Sequence, residues 1–392
     1  MSKIAFFCIP AHGHTNPTLG VVRELVQRGH EVWYYSYEPF KEKIEETGAK
    51  FIACDIYDAE KNLTPEEGAR VGKDLAFSTK LLVDTTLALD EIVSKHMDEL
   101  QPDCIVADSM AVWGKALAVK RNIPFVSSTT TFAFNEYSSR LMKRGIGELF
   151  GMIFSMPKIN KQLKRLQDKG YPITNILSII QNDNDTNTVV YTSKEFQPYA
   201  ETFSDKYAFV GPSIRPAKET VEKSGKKLVY ISLGTVTNLL KKFYKNVIEA
   251  LKDSEYEVIM SVGEHTDIKE LGEIPSNFKV YPSVDQIAVL EKADAFITHC
   301  GMNSASEGLY FEVPLVLFPQ TPEQGAVATR TTQVGAGILL EKNTPEAIRS
   351  AVKTILEDES YQKNAAKISK SFRESGGASA AADKILRVVE GK

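Results

Sequence analysis

Short apolar runs alternate along this chain with longer stretches whose apolar residues recur every three or four positions. Ile4–Ile9, Glu31–Ser36, Cys104–Ala107 and Phe125–Ser128 read as strands. Between them, Pro17–Arg28 reads as a helix, with Asn16 as N-cap, Pro17 at the first helical position and Gly29 as the stop. A second helix is expected over Met110–Arg121. Strands and helices alternating at this spacing imply a parallel sheet covered on both faces.

The stretch from Phe132 to Ile180 is helical in pattern, with Met142, Leu149, Phe150, Met152, Phe154 and Leu163 as its apolar positions. It reads as an insertion over one end of the sheet, either a plain helical cap or part of an apolar binding wall. Val189–Thr192 and Tyr207–Val210 return the chain to the sheet. Gly211–Lys227 holds two prolines, two glycines, five lysines or arginines and no periodicity, which marks an interdomain linker. A second strand–helix series begins at Leu228–Ser232. It continues through Glu257–Ser261, Phe278–Val280, Ala295–Thr298 and Leu315–Phe318 and is helical from Thr344 onward. The expected fold class is therefore α/β, with domains over residues 1–211 and 228–377, a linker over 212–227 and a terminal amphipathic segment over 378–392.

A length of 392 residues suits two domains. The net charge of -4, with no basic stripe, argues against a nucleic-acid partner. No apolar stretch reaches the ~20 residues of a membrane span. The opening Ile4–Ile9 run is too short for a signal segment. The four cysteines (Cys8, Cys54, Cys104, Cys300) form no CxxC pair, which fits buried thiols in a reducing cytoplasm.

Ligands of open parallel sheets bind beyond the carboxyl ends of the strands. Five such ends carry polar chemistry: His12 and His14; Asp108; Ser232-Leu233-Gly234-Thr235; His299 to Ser304; and Gln320 to Gln324. His12 and His14 also form an HxH pair, but no third metal ligand stands out among His30, His96 and His265. Asp108 can N-cap the helix near Met110, or it can orient His14. In the second role a carboxylate on one imidazole nitrogen fixes the tautomer and stabilises the cation formed when the other nitrogen takes a proton. In the second half, Gly301 frees the backbone to turn, and Asn303-Ser304 can open a helix running to about Tyr310. Its N–H groups and dipole favour a phosphate, with His299 as a further donor. Ser232 and Thr235, around Gly234, make a second small hydroxyl-bearing loop. No Walker loop is present and no G-x-G-x-x-G follows the first strand, which disfavours P-loop and nicotinamide chemistry. Asp183-Asn184-Asp185 reads as a polar turn.

With these motifs in place, the chain resembles the family 1 nucleotide-sugar-dependent glycosyltransferases, in particular the bacterial macrolide and flavonoid type. The resemblance spans the whole chain. It is most specific over Val284-Asp285-Gln286, Ala293 to Ser304, Glu307-Gly308 and Val313-Pro314-Leu315 to Glu323-Gln324, and again at Gly13-His14-Thr15-Asn16-Pro17. It implies two Rossmann-like domains facing across a cleft, the glycosyltransferase-B fold, with the terminal helix crossing back onto the N-terminal domain. It implies an inverting O-glycosyltransferase moving a sugar, foremost glucose from UDP-glucose, onto a hydroxyl of a small hydrophobic acceptor such as a phenol or macrolide. His14 would be the base and Asp108 its orienting partner. His299, Gly301, Asn303 and Ser304 would bind the diphosphate, with Ser232 and Thr235 nearby. Glu307 would hold the ribose, Val284 and Gln286 would frame the base, and Glu323 and Gln324 would hold sugar hydroxyls. The resemblance implies no cofactor and no catalytic metal, and the protein is expected to be a cytoplasmic monomer. Departures are Ser283 for a common Trp, Asp285 for a common Pro and Cys300 for a common Gly; they leave a uridine or thymidine carrier open. The rival readings are a nucleotide-sugar 2-epimerase on the same fold and a non-catalytic sugar-nucleotide-binding protein.

Overall fold

The structure is a computed structural model that describes all residues except 56–62, 69, 71–73, 142–145, 176–181, 235–239 and 392. Two parallel sheets form it. The first contains β1 (Lys3–Phe7), β2 (Glu31–Ser36), β3 (Lys50–Ala53), β4 (Cys104–Asp108), β5 (Phe125–Thr129), β6 (Thr188–Val190) and β7 (Tyr207–Phe209). Their spatial order is β3-β2-β1-β4-β5-β6-β7. The second contains β8 (Leu228–Ser232), β9 (Glu257–Ser261), β10 (Phe278–Tyr281), β11 (Ala295–Thr298), β12 (Leu315–Leu317) and β13 (Gly337–Leu339), in the order β10-β9-β8-β11-β12-β13. The short strands β3 and β13 escape the hydropathy pattern: their runs of four and three residues are too brief to show a period.

Strand order reverses between β1 and β4 in one sheet and between β8 and β11 in the other. Phe7 pairs with Ala107, and Ser232 pairs with Thr298. The adjoining crossovers leave in opposite directions at these points, opening a crevice at the strand ends. His14 and Asp108 flank the first switch point, and Ser232 and His299 flank the second.

The first helix differs from the sequence expectation. It runs His12–Gln27, five residues earlier than expected, with Ala11 at the N-cap and no side-chain cap. Asn16 is therefore not the cap, and Pro17 lies inside the helix, not at its start. The helix after β4 begins at Val112, with Ala111 at its N-cap. In the 132–180 stretch, Phe132 is buried beside Phe196, and the long helix is confined to Ile146–Gln167. Met142 lies outside the described residues. That helix packs on a 26-residue helix, Leu75–Leu100, capped by Asp74, which accepts from Phe77 N at 3.0 Å. Val83, Ile159, Leu163 and Leu166 form their shared core. Asp183 makes the polar turn, accepting from Thr186 Oγ1 at 2.6 Å and from Asp185 N at 3.1 Å.

The last helix, Gly377–Val389, returns to the first sheet. Ala381, Ala382, Ile385 and Val388 enter the core made by Ile4, Phe6, Val21 and Leu25. Arg28 ties the first helix to Asp383 at 2.5 Å. The return is built on close backbone approach: Gly377 N donates to Val210 O at 2.7 Å. Gly211 has φ +78°, and a Cβ there would lie 2.5 Å from the Phe372 carbonyl oxygen. Gly211→Ala thus combines left-handed strain of about 1–2 kcal/mol with a backbone clash. It is expected to cost roughly 3 kcal/mol or more, measurable as a lowered midpoint in thermal or urea unfolding.

Candidate functional site

His14 stands in the first turn of the His12–Gln27 helix, directly beyond β1. Its Nδ1 lies 2.8 Å from Asp108 Oδ2 and 3.1 Å from Thr130 Oγ1. Asp108 closes β4 with a fully buried side chain, while the His14 side chain is 25% exposed. The other carboxylate oxygen, Oδ1, accepts from Met110 N at 2.9 Å. Asp108 therefore holds His14 with one oxygen, while the other closes the turn before the helix; it is not the helix cap, because the N-cap is Ala111 and has no side-chain cap. An acceptor on Nδ1 favours a proton there and leaves the Nε2 lone pair unprotonated. Burial works against a charged His14, but the hydrogen bond and charge of Asp108, with a contribution from Glu323, outweigh it and raise the pKa above the ordinary value. Thr130 is a site residue the sequence reading missed; one threonine after an apolar strand carries no local signal of its partner. His12 is exposed and sets its ring edge-on to Phe40 at 5.0 Å, away from this pairing.

Beyond β11 the chain turns sharply. Cys300 has φ 67°, a conformation costing a non-glycine residue about 1–2 kcal/mol. Thr298 holds it there: Cys300 N donates to Thr298 Oγ1 at 3.2 Å, and the buried thiol points at Thr298 O at 3.6 Å. This geometry explains why glycine suits position 300. The turn delivers Gly301 as N-cap of the Met302–Tyr310 helix, whose start has no side-chain cap and no acidic residue. An uncapped helix start of this kind is chemically suited to an anion.

His299 is clamped. A Cβ on Gly301 would fall 2.6 Å from its Nε2, and a Cβ on Gly234 would fall 2.6 Å from its Cε1. Only two bare backbones leave room for the ring. Burial pushes its pKa down to about 4, against a weaker opposing effect of the Ser232 backbone. The ring is therefore neutral at pH 7, and among the described residues its buried Nδ1 has no well-formed hydrogen bond. Ser232 Oγ faces Gly234 N at 3.4 Å in the adjoining turn. Thr235 lies outside the described residues.

Glu307 sits on the next turn of the same helix. Gln286 Nε2 donates to Glu307 Oε2 at 2.5 Å and lies 3.4 Å from Ser304 Oγ, while Tyr230 OH donates to Gln286 Oε1 at 3.2 Å. Burial raises the Glu307 pKa; Gln286 and the charge of Arg215 oppose the rise. Arg215 lies in the linker and is paired to Asp285, which also accepts from Lys218 N and Glu219 N at 2.5 and 3.1 Å. Asp285 thus folds the linker over a cavity of about 590 Å³ whose walls include Ser283, Val284 and Arg215. Arg215 too was missed, because nothing in a Pro- and Lys-rich linker reveals which strand end it will cover.

Glu323 opens the Pro322–Gln333 helix, and its charge acts on His14 from the other lobe. Gln324 is held by its neighbours: its N–H lies 3.3 Å from Thr321 Oγ1 and its Oε1 accepts from Gln320 N at 2.7 Å. Asn303 joins the lobes directly, donating from Nδ2 to Gly13 O at 2.9 Å. Among the described residues no group of three or more His, Cys, Asp or Glu is placed to hold a metal ion, and no helix is long and apolar enough to cross a membrane. The four cysteines are buried and free.

Comparison with known proteins places the chain in a family. The model of the erythromycin biosynthesis protein CIII-like C-terminal domain matches residues 245–378. The chain is 36% identical to the NDP-glycosyltransferase YjiC of Bacillus licheniformis, across 97% of this chain and 96% of that protein. It is 33% identical to a Bacillus subtilis protein named uncharacterized UDP-glucosyltransferase YojK, across 100% of this chain and 98% of that one. Among solved structures, the glycotransferase of kitacinnamycin superposes with a TM-score of 0.86 at 27% identity, covering 99% of this chain and 98% of that one. Two parallel α/β lobes with switch points facing a shared cleft, and full-length likeness to sugar transferases, give one conclusion: the chain belongs to the nucleotide-sugar-dependent glycosyltransferases of glycosyltransferase-B fold that include the Bacillus NDP-glycosyltransferases, and is a sugar-transferring enzyme.

Proposed function

We propose that the protein is an inverting O-glycosyltransferase that moves a sugar, glucose from UDP-glucose as the leading donor, onto a hydroxyl of a small hydrophobic acceptor such as a flavonoid, another phenol or a macrolide. The observation that carries this reading is the His14–Asp108 pair, facing a lobe whose uncapped helix start and clamped His299 are suited to a diphosphate. The acceptor hydroxyl gives its proton to His14 Nε2 as its oxygen attacks the anomeric carbon. The bond from that carbon to the diphosphate oxygen breaks on the opposite face, so the configuration inverts. Asp108 balances the imidazolium. The helix N–H groups, His299, Asn303 and Ser304 stabilise the departing charge, a preorganised electrostatic effect. Ser232 borders the same phosphates, with Thr235, outside the described residues, assigned to the same loop. Glu307 takes the ribose hydroxyls, Val284 and Gln286 frame the base, and Glu323 and Gln324 take the sugar hydroxyls. On this reading the reaction uses no cofactor and no metal, and the enzyme works as a monomer in the cytoplasm.

Mass spectrometry of products from UDP-glucose, TDP-glucose and UDP-N-acetylglucosamine with a mixed phenol and macrolide panel tests it. Acceptor-dependent addition of one hexose to a phenol is the expected result. Sugar released with altered configuration at its second carbon and no acceptor would instead mark an epimerase. Donor binding with no product across the panel would mark a binding protein.

A further inference from the structure

Pro17 stands in the interior of the His12–Gln27 helix and has no N–H. In an α-helix that N–H would bond to the carbonyl four residues earlier, which is Gly13. Gly13 O is instead the acceptor for Asn303 Nδ2, at 2.9 Å, from the opposite lobe. The two lobes come close at this point: a Cβ on Gly13 would sit 3.8 Å from Asn303 Nδ2. A void of only about 20 Å³, walled by Asn16, Pro17, Asn303 and Glu307 among others, remains beside the contact. Gly13 immediately precedes His14, and Asn303 lies in the first turn of the Met302–Tyr310 helix.

We propose that Pro17 is a positioning residue: by withholding an N–H it leaves the Gly13 carbonyl open to Asn303, and this bond sets the register of the His14 helix against the diphosphate-binding helix. The bond between the lobes is tested in protein without nucleotide. Its consequence for catalysis rests on the function proposed above. An amide side chain has two N–H donors, so Asn303 holds Gly13 with one and keeps the other for a phosphate oxygen. Donor binding and lobe alignment then converge on one side chain. Pro17 sets the position of the base without touching either substrate.

Pro17→Ala supplies the missing N–H and lets Gly13 O bond within its own helix. The substitution favours the helix, so misfolding does not confound it. Asn303→Ala removes the donor from the other side. The first measurement uses free protein without nucleotide: spin labels on Val119→Cys and Leu339→Cys, both exposed positions on different lobes, with the interlobe distance read by double electron–electron resonance. The native cysteines are buried, which favours selective labelling. Both substitutions are expected to broaden the distance distribution, lowering the closed-to-open ratio roughly three- to tenfold, the range for one net hydrogen bond. The second measurement is kinetic. Pro17→Ala is expected to lower kcat by roughly the same factor with donor Kd within about twofold, whereas Asn303→Ala weakens donor binding as well. The double variant should show no more interlobe broadening than Asn303→Ala alone, because both act through one carbonyl. Unchanged distances in both single variants would overturn the latch. Broadening with Asn303→Ala but not with Pro17→Ala would overturn the role of Pro17. The distance measurement stands even for a chain that transfers no sugar, so failure of the latch and failure of the proposed reaction are read separately.

Discussion

Replacing His14 by alanine is expected to lower turnover of a phenolic acceptor by roughly 10²–10⁴-fold, the usual weight of a positioned general base, while donor affinity stays within about twofold of the parent. The side chain is partly exposed and anchored by Asp108 at 2.8 Å, so its removal deletes the proposed proton acceptor without touching the lobe proposed to hold the nucleotide. Turnover unaffected by the change would remove the base assignment. The pH profile carries the same information with a definite sign. A base works when neutral, and the pKa of His14 is raised, so kcat/KM should rise through an inflection above the ordinary 6.5 of imidazole. Asp108→Asn removes the charge that raises it and leaves the burial that lowers it. The inflection should then move to lower pH while the plateau falls. Stability runs the other way. A histidine whose folded pKa is raised stabilises the fold fully below its unfolded pKa, and that contribution is lost as pH rises through the folded value. The pair thus supports the fold most strongly where the base is protonated and idle.

Gly301→Ala is expected to raise donor KM roughly tenfold or more, with a smaller effect on kcat at saturating donor. The backbone at 301 has φ -58°, which alanine adopts without strain, so the substitution acts through volume alone. The new Cβ would lie 2.6 Å from His299 Nε2, inside contact distance, and the ring is held on its other side by Gly234. It has to leave the clamp, and with it goes the neutral donor proposed for a phosphate. A calorimetric titration with UDP measures the loss directly. Undiminished UDP affinity in a folded variant would show that the ring does not serve the diphosphate. Gly234→Ala is a less clean probe, because Gly234 has φ +76° and any side chain there adds strain.

The two-sheet plan was legible because strands buried on both faces of a parallel sheet appear as unbroken apolar runs. β1, β4, β8 and β11 are such runs, and the polar residues after them mark where ligands can sit. The start of the first helix was misread for an equally physical reason. Asn16-Pro17 is a strong local cap signal, and its weight is a preference of isolated helix ends. Here the loop after β1 is already helical at His12, and the carbonyl four residues before the interior proline bonds to the other lobe. β3 and β13 were hidden by brevity. Thr130 and Arg215 were hidden because their partners, His14 and Asp285, lie 116 and 70 residues away.

The sequence by itself determined which residue types stand at the strand ends and the local rule of each: a histidine after β1, an aspartate closing β4, a histidine two residues before a glycine after β11. Those are consequences of hydrophobic periodicity and turn chemistry, which act over a few residues. Tertiary structure alone decided that β1 adjoins β4 and β8 adjoins β11, that two distant glycines close on one imidazole, and that the acceptor freed by Pro17 meets Asn303. Strand order and lobe contact are set by crossover packing and by burial between segments far apart in the chain, and local pattern carries no record of which ends will meet.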